Sequence, residues 1–168
     1  MVVLGIDPGT ATTGYGLVRD ADTGPVLVTY GAILTPAGAP MPERLLAIYR
    51  ALTELIALHQ PAAAAVEKLF FQRNVSTAMT VGQARGVALL TLAQAQVPVG
   101  EYTPRDVKQA VCGYGGAGKA QIQQMVRALL NLEVLPRPDD AADALAVAIC
   151  HLNSAKLNAY LAAPEPSP

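Results

Sequence analysis

The chain contains 168 residues, of which 52% are hydrophobic and 15% are charged. This composition excludes a disordered chain and predicts one globular domain with a single substantial core. The formal net charge is −1, whereas nucleic-acid-binding domains are usually basic. The charge is uneven, however, because residues 68–127 hold seven cationic and only two acidic side chains. An anionic partner is therefore compatible with the composition.

The cysteines and the start of the chain bear on its location. Cys112 and Cys150 form neither a metal-binding spacing nor a disulfide framework, and they are typical of buried free thiols in a reducing cytoplasm. The first residues lack the basic region and cleavage pattern of a signal peptide, and no apolar run reaches membrane-spanning length. We therefore expect a cytoplasmic protein. His59 and His151 stand apart from other candidate ligands and indicate no site.

The first part of the chain predicts three strands. Residues 1–7 are mostly apolar and stop at Pro8-Gly9, a turn pair that cannot continue a β-ladder. Residues 13–19 and 26–33 form two further strands around a polar turn at 20–25. Connections this short predict an antiparallel meander.

The rest of the chain alternates between helices and strands. The predicted helices and strands cover residues 43–60, 62–67, 76–96, 97–102, 103–112, 119–130 and 139 onwards. Residues 62–67 are alanine-rich and would also suit a helix, but their place between two helices favours a buried parallel strand. The order predicts an α/β fold, a mixed five-stranded sheet flanked by helices. We expect this domain to span residues 1–157 and a disordered, proline-rich tail to cover 158–168.

Two acidic residues end strands that are predicted to be neighbours. Asp7 closes the first strand and Glu67 closes the fourth, so both carboxylates belong at one edge of the sheet. An aspartate in Asp-Pro-Gly also commonly bonds its own turn. A buried unpaired carboxylate is costly, however, so Asp7 requires a cation, a donor or a metal beside it.

The last predicted helix adds acids in its first turn. Asp140 and Asp143 share one helical face, but Asp139 and Asp143 do so too, and spacing alone leaves the pair open. Such acids also complement the helix dipole without any further role. Together with Asp7 and Glu67 they form a set of hard oxygen ligands, which suits Mg²⁺ or Mn²⁺ and not zinc. Two such cations would support hydrolysis of a phosphodiester.

Four segments of the chain resemble the RuvC family of Holliday-junction resolvases. They are Gly5-Ile-Asp-Pro-Gly-Thr, Ala65-Val-Glu-Lys-Leu-Phe-Phe, Gly82-Gln-Ala-Arg-Gly-Val-Ala and Asp140-Ala-Ala-Asp-Ala-Leu-Ala. The resemblance runs in register from about residue 2 to 155. It implies a ribonuclease H-like fold and a homodimeric crossover junction endodeoxyribonuclease. Such an enzyme nicks four-way DNA junctions symmetrically with divalent metal, in recombination and DNA repair.

The resemblance also implies roles for individual residues. The catalytic metal ligands would be Asp7, Glu67, Asp140 and Asp143, holding two Mg²⁺ or Mn²⁺ ions per active site. Asp139 is an extra acid beside this motif. Phe70 falls where the family has an aromatic ring that stacks at the junction centre. Lys108 and Lys119 fall where it has basic residues that contact DNA.

The phenylalanines also have an interpretation from the residues alone. Phe70 and Phe71 are the only two in the sequence, and they share a predicted loop with Lys68 and Arg73. Aromatic rings among cations suit base stacking, which is worth about 1–3 kcal/mol per base. The alternative is a loop whose rings are anchored in the core.

The helix predicted at 76–96 is the expected dimer interface. Gly82 and Gly86 are four residues apart and expose backbone on one helical face. Paired nicks require two sites, and a symmetric dimer supplies the second. The alternative is that these glycines let the helix pack tightly on its own sheet. The resemblance further implies the RuvA–RuvB branch-migration complex as a partner and a bacterial, nucleoid-associated location.

Parts of the sequence also suit three functions other than junction resolution. The Gly-Ile-Asp-x-Gly-Thr pattern also opens the phosphate-binding hairpin of actin-like ATPases and sugar kinases. Those proteins clamp nucleotide between two such domains, and no second motif of that kind occurs in the sequence. A binding module without catalysis is disfavoured by the intact set of carboxylates. Composition and spacing alone do not distinguish a junction resolvase from another ribonuclease H-like nuclease.

Overall fold

The computed structural model describes residues 1–68 and 75–162, apart from the side chains of residues 75–77. The strands are β1 (Val2–Asp7), β2 (Thr12–Ala21), β3 (Gly24–Leu34), β4 (Ala63–Glu67) and β5 (Val99–Tyr102). The helices are α1 (Met41–His59), α2 (Val75–Gln94), α3 (Pro104–Cys112), α4 (Lys119–Leu129) and α5 (Asp139–Ala162). None of the helices in this described part has the length and apolar content needed to span a bilayer.

The five strands form one mixed sheet in the order β3-β2-β1-β4-β5. The first three strands pair antiparallel, whereas β4 runs parallel to both β1 and β5. This confirms the predicted architecture. Ile6 of β1 pairs with Val66 of β4, so Asp7 and Glu67 each follow at the same edge of the sheet.

Most predicted boundaries lie within about two residues of the observed ones, and the differences that change a segment concern the first turn and the tail. The turn predicted at 20–25 is shorter, because β2 and β3 continue their pairing to Ala21 and Gly24. The tail predicted from residue 158 is wrong over its first five residues, since α5 continues to Ala162. Residues 158–162 contain no proline and several good helix formers, which explains the extension. Residues 163–168 lie outside the described part.

Helices cover both faces of the sheet. Val3 and Ala65 belong to a core formed with α3, α4 and α5, around Leu145 and Ile149. The alternate positions Leu4, Ala64 and Val66 belong to a second core, formed with α1 and α2. Side chains that alternate along a strand point to opposite faces, so α5 and α2 lie on opposite sides of the sheet.

Helix α5 packs directly on the sheet backbone at a glycine seam, formed by Gly5, Gly14 and Gly16. A Cβ atom added at Gly5 would overlap the carbonyl oxygen of Ala144, and one at Gly14 would overlap that of Asp140. At Gly14 the same atom would also lie 2.9 Å from the backbone nitrogen of Ala141. No side chain fits between the two elements there. Because Gly14 pairs with Asp7, the seam fixes the start of α5 beside the end of β1.

Candidate active site

Three elements bring the four predicted acidic ligands to one edge of the sheet. Asp7 is the last residue of β1, and Glu67 is the last residue of β4. Helix α5 begins at Asp139, and its first turn is held over this edge by the contact between Asp140 and Gly14. Each acid thus stands where a regular element begins or ends.

The electrostatics of Asp7 show that the four acids form one cluster. Burial raises the pKa of Asp7 from 3.8 to about 7, with further contributions from the charges of Asp143, Glu67 and Asp140. The charge of Lys119 opposes this shift. At neutral pH this carboxyl group is therefore only partly ionised in the absence of an added cation.

Glu67 and Asp143 share this environment. Burial raises the pKa of Glu67, and the charge of Asp143 raises it further, against the opposing charge of Lys108. Burial also raises the pKa of Asp143, although a hydrogen bond from Lys119 opposes the shift. A group of acids that raise one another's pKa values binds a cation favourably, because the cation removes their mutual repulsion.

Lys119 lies against the acids. It is the first residue of α4, and its Nζ is 3.2 Å from Oδ2 of Asp143 and 3.5 Å from Oδ2 of Asp139. Burial lowers the pKa of this amine, but the two carboxylates outweigh that effect and raise it. The sequence predicted Lys119 only as a DNA contact. Its pairing with Asp143 was missed because the two residues are 24 positions apart, in different helices.

The structure distinguishes Asp139 from Asp140. Asp139 forms ion pairs with Arg137 and Lys119. Desolvation raises the pKa of Asp139, but hydrogen bonds and the charges of these two cations together outweigh it and hold the pKa below the ordinary value. Asp140 instead is among the charges that raise the pKa of Asp7. The geometry therefore favours Asp140 over Asp139 as the partner of Asp143 in the cluster.

A cavity of about 190 Å³ opens beside the acids. Glu67 and Asp143 line it on one side, and Lys108 and Lys119 line it as well. The two lysines predicted to contact DNA thus border the same space as two of the predicted metal ligands. Such a mixture of carboxylates and amines suits a ligand that brings both a divalent cation and a phosphate group.

The acids fit a divalent cation by their chemistry. Among residues 1–68 and 75–162, no three side chains of aspartate, glutamate, histidine or cysteine converge into a ready coordination sphere. The donors in the cluster are nevertheless all carboxylates, the ligands that Mg²⁺ and Mn²⁺ prefer. Their raised pKa values show a shortage of positive charge that a divalent ion would supply.

Hydrogen bonds hold the turn after Asp7. The hydroxyl of Thr13 donates to the carbonyl of Gly9 over 2.7 Å, and that of Thr35 donates to the carbonyl of Thr10. Arg44 of α1 donates to the Thr35 hydroxyl over 2.8 Å. This network was missed from the sequence, because Thr35 and Thr10 are 25 residues apart and follow no short motif.

The predicted dimer surface lies on α2, away from the acids. Gly82 is partly exposed and Gly86 is exposed, and a Cβ added at Gly86 would meet nothing within 4 Å. The alternative, that the glycines allow close packing on the chain's own sheet, is therefore wrong for Gly86. Met79, seven residues before Gly86, and Leu90, four residues after it, lie on the same helical face and are also exposed, at 64% and 57%. Together they leave an apolar helical face uncovered.

Three predicted DNA-binding residues cannot be placed. Phe70, Phe71 and Arg73 lie outside the described residues. The described segment stops at Lys68, an exposed residue that directly follows Glu67. Lys68 itself lies at the edge of the sheet that carries the acids.

Comparisons with known proteins place the chain among one group of nucleases. Residues 3–151 match the family Crossover junction endodeoxyribonuclease RuvC. The chain is 64% identical to the protein of that name from Chloroflexus aggregans, over 92% of this chain and 94% of the relative. It is 59% identical to the one from Syntrophomonas wolfei, over 96% of this chain and 94% of the relative.

A solved structure agrees with these sequence matches. Thermus thermophilus RuvC in complex with a Holliday junction substrate superposes with a TM-score of 0.89 at 39% identity. The superposition covers 94% of this chain and 96% of the other. The likeness extends over both faces of the sheet and is not confined to the edge that carries the acids.

Proposed function

Because the chain belongs to the RuvC family of crossover junction endodeoxyribonucleases, we propose that its acid cluster cleaves four-way DNA junctions by paired, symmetric nicks. Family membership makes the chain a nuclease of recombination and DNA repair. It confirms the predicted family and, with the structural likeness, the ribonuclease H-like fold. The observation that carries the proposal is the coupling of Asp7 to three further acids at one sheet edge.

The acid cluster provides the ligands for the divalent metal on which this family depends. Asp7, Glu67, Asp140 and Asp143 would hold Mg²⁺ or Mn²⁺, with two ions per site. When bound, the ions supply an activated water and stabilisation of the leaving oxygen. The glycine seam beneath α5 fixes the start of that helix, and so its acids, beside Asp7. The support for this ligand set is its purely carboxylate chemistry and the raised pKa values.

The basic side chains beside the acids bind the DNA backbone. Lys108 and Lys119 border the cavity that Glu67 and Asp143 line, so a phosphate held by them lies next to the metal ligands. Phosphate contacts of this kind fix the position of the substrate without reading its sequence. We assign the same phosphate-binding role to Arg73 because of its charge. We assign a different role to Phe70 and Phe71, whose rings stack on bases at the junction centre.

The working unit is a homodimer with α2 at its interface. Gly86 is open, and the exposed side chains of Met79 and Leu90 flank it on the same helical face. Gly82, one turn earlier, lets a partner helix approach in the same way. A two-fold axis through this surface gives two active sites for two nicks. The partner in the cell is the RuvA–RuvB branch-migration complex, at the nucleoid in the bacterial cytoplasm. The free thiols Cys112 and Cys150 suit that reducing location.

Cleavage of a synthetic four-way junction tests the proposal. We expect paired nicks with Mg²⁺ or Mn²⁺ and none with EDTA, and far less cleavage of linear duplex. Asp7→Asn and Glu67→Gln should each lower the cleavage rate roughly a thousand-fold, since metal stabilisation of the transition state is worth several kcal/mol. Junction binding should be unchanged or tighter.

The control is Asp22→Asn, which removes an exposed acid in the turn between β2 and β3. It should cleave like the unmodified protein. Near-normal cleavage by Asp7→Asn at physiological Mg²⁺ would overturn the proposed site. Equal cleavage of duplex and junction would indicate another ribonuclease H-like nuclease, and ATP hydrolysis without cleavage would indicate the actin-like alternative.

A further inference from the structure

Arg85 of α2 reaches the end of β4 from the face of the sheet opposite α5. Its Nε donates to the backbone carbonyl of Glu67 over 3.3 Å, and its guanidinium forms an ion pair with Glu101 of β5. The arginine side chain is only 19% exposed. The carboxylate of Glu67 belongs to the α5 face, as Ala65 two residues earlier does. The backbone of Glu67 is thus bonded by a residue from the α2 face of the sheet, whereas its carboxylate lies on the α5 face.

The carbonyl of Glu67 lacks a partner within the sheet. It shares a trans peptide unit with the N–H of Lys68, which donates to the carbonyl of Tyr102 on β5 over 2.7 Å. The carbonyl of Glu67 must therefore point the other way, towards β1. The pairing of Ile6 with Val66 makes residue 8 the next donor on that side. Residue 8 is a proline and has no N–H.

We propose that Arg85 is a positioning residue for Glu67, and that it supplies the donor which Pro8 cannot. The proposal rests on the proposed function, in which Glu67 is a metal ligand. Among the described residues, the contact of this last β4 peptide that remains without Arg85 is the hydrogen bond on the β5 side. The carboxylate of Glu67 then samples more orientations, and the acid cluster binds metal less tightly. Arg85 also precedes Gly86, so the helix turn that faces the partner subunit supports the active site.

An arginine suits this place better than a lysine. Its planar fork carries several donors and serves the carbonyl of Glu67 and the carboxylate of Glu101 at once. The ion pair with Glu101 holds the fork in the orientation that its Nε needs. A lysine carries its donors on a single nitrogen at the end of a flexible stem, so it serves both acceptors only if they lie within hydrogen-bond distance of that one atom. Arg85→Lys should therefore retain part of the effect, and Arg85→Ala none.

Two measurements on the full-length protein test the role. Amide hydrogen exchange, followed by NMR without metal, reports directly on the Lys68 N–H. Calorimetric titration with MnCl₂ and cleavage at graded MgCl₂ report on the metal site. We expect Arg85→Ala to speed Lys68 exchange and to raise the half-saturating metal concentration about ten-fold or more, the range found when groups that orient ligands are lost. Arg85→Lys and Glu101→Gln should fall between.

The matched control is Arg50→Ala, which removes an exposed arginine of α1. It should change neither measurement. Unchanged Lys68 exchange and metal half-saturation in folded Arg85→Ala would overturn the positioning role. If Arg85→Ala fails to fold, Arg85→Lys and Glu101→Gln test the role instead. An unchanged Lys68 exchange rate and an unchanged metal half-saturation in both of these variants would contradict it. Should the unmodified protein bind no Mn²⁺ and cleave no junction, the proposed function fails instead, a result distinct from all of these.

Discussion

Helices α5 and α2 cover opposite faces of one sheet and use glycine in opposite ways. Beneath α5 the glycines belong to the strands, and the helix backbone fills the space where their side chains would be. On α2 the glycine at position 86 belongs to the helix, and the space beside it is open. The first arrangement fixes an element within the chain. The second leaves a surface on which another backbone can approach.

The different use of glycine on the two faces of the sheet matches the different roles of α5 and α2. In the proposed site the acids of α5 act together with Asp7 and Glu67. A displacement of about 1 Å would be enough to disrupt catalysis, so their helix must be held rigidly on the sheet. Helix α2 carries no acid of the cluster and contributes through Arg85 and its exposed apolar face. A glycine inside a helix costs roughly 0.5–1 kcal/mol, which contact with a partner would offset.

The largest effect is expected from the acids seated on the glycine seam. Asp140→Asn should lower junction cleavage roughly a thousand-fold, because Asp140 raises the pKa of Asp7 and is a proposed metal ligand, whose loss would cost several kcal/mol. Asp139→Asn should lower it less than about ten-fold, because Asp139 pairs with Arg137 and Lys119 instead. Single-turnover cleavage rates of the two variants measure the difference. The reverse order would mean that Asp139 is the ligand.

The seam itself should be nearly as sensitive. Gly14→Ala places a methyl group against the carbonyl of Asp140, so α5 must shift. We expect a loss of 1–3 kcal/mol in the free energy of unfolding, about the cost of overpacking, and cleavage reduced about a hundred-fold. Urea denaturation and cleavage rates measure both. Gly38→Ala is the control, because a Cβ there meets nothing within 4 Å. Equal behaviour of the two variants would show that the seam does not position α5.

On the opposite face the same kind of change should affect assembly and not folding. Gly86→Leu fills the open space beside α2, so overpacking should weaken the dimer by about 1–3 kcal/mol, which is about 5- to 150-fold in dissociation constant. Sedimentation velocity measures this, and nicks should become single instead of paired. Ala47→Leu enlarges an exposed residue of α1 and serves as the control. A folded Gly86→Leu protein that dimerises and nicks in pairs like the control would place the interface elsewhere.

The smallest effect concerns Lys119, at the border between the acids and the DNA. Lys119→Ala removes one cation, so the slope of log binding constant against log salt should become less steep by about 0.9, the value for one phosphate. Junction binding by fluorescence anisotropy at several salt concentrations measures the slope. Lys156→Ala is the control, since its amine pairs with Asp20 away from the cluster. An unchanged slope would mean that Lys119 serves the acids alone.

Local patterns in the sequence predicted most of the fold. An apolar run that ends at Pro8 defines β1 and its terminal acid. A capping residue followed by proline, Thr103-Pro104, defines the start of α3, where the structure shows a capping box with Asp106. Each signal depends on neighbouring residues, so it can be read along the chain. The roles of individual acids came from the resemblance to a family, because helical spacing did not separate Asp139 from Asp140.

Contacts between distant elements could not be predicted in this way. The hydrogen bond from Arg85 to Glu67 and the ion pair of Lys119 with Asp143 join residues of different elements. The close backbone contact between Asp140 and Gly14 joins residues that are 126 positions apart in sequence (140 minus 14). Such contacts depend on how helices dock on the sheet, and no short motif encodes them.

The central claim is that the acid cluster binds a divalent cation, and the ionisation of Asp7 tests it most directly. The folded state with a raised Asp7 pKa binds more protons than the unfolded chain, so metal-free stability should fall as pH rises from about 4 to 7. NMR titration of the Asp7 carboxyl carbon, assigned with Asp7→Asn, gives the pKa itself. We predict a pKa of about 7 without divalent metal and a value well below it in saturating Mg²⁺. The same titration curve with and without Mg²⁺ would contradict the claim.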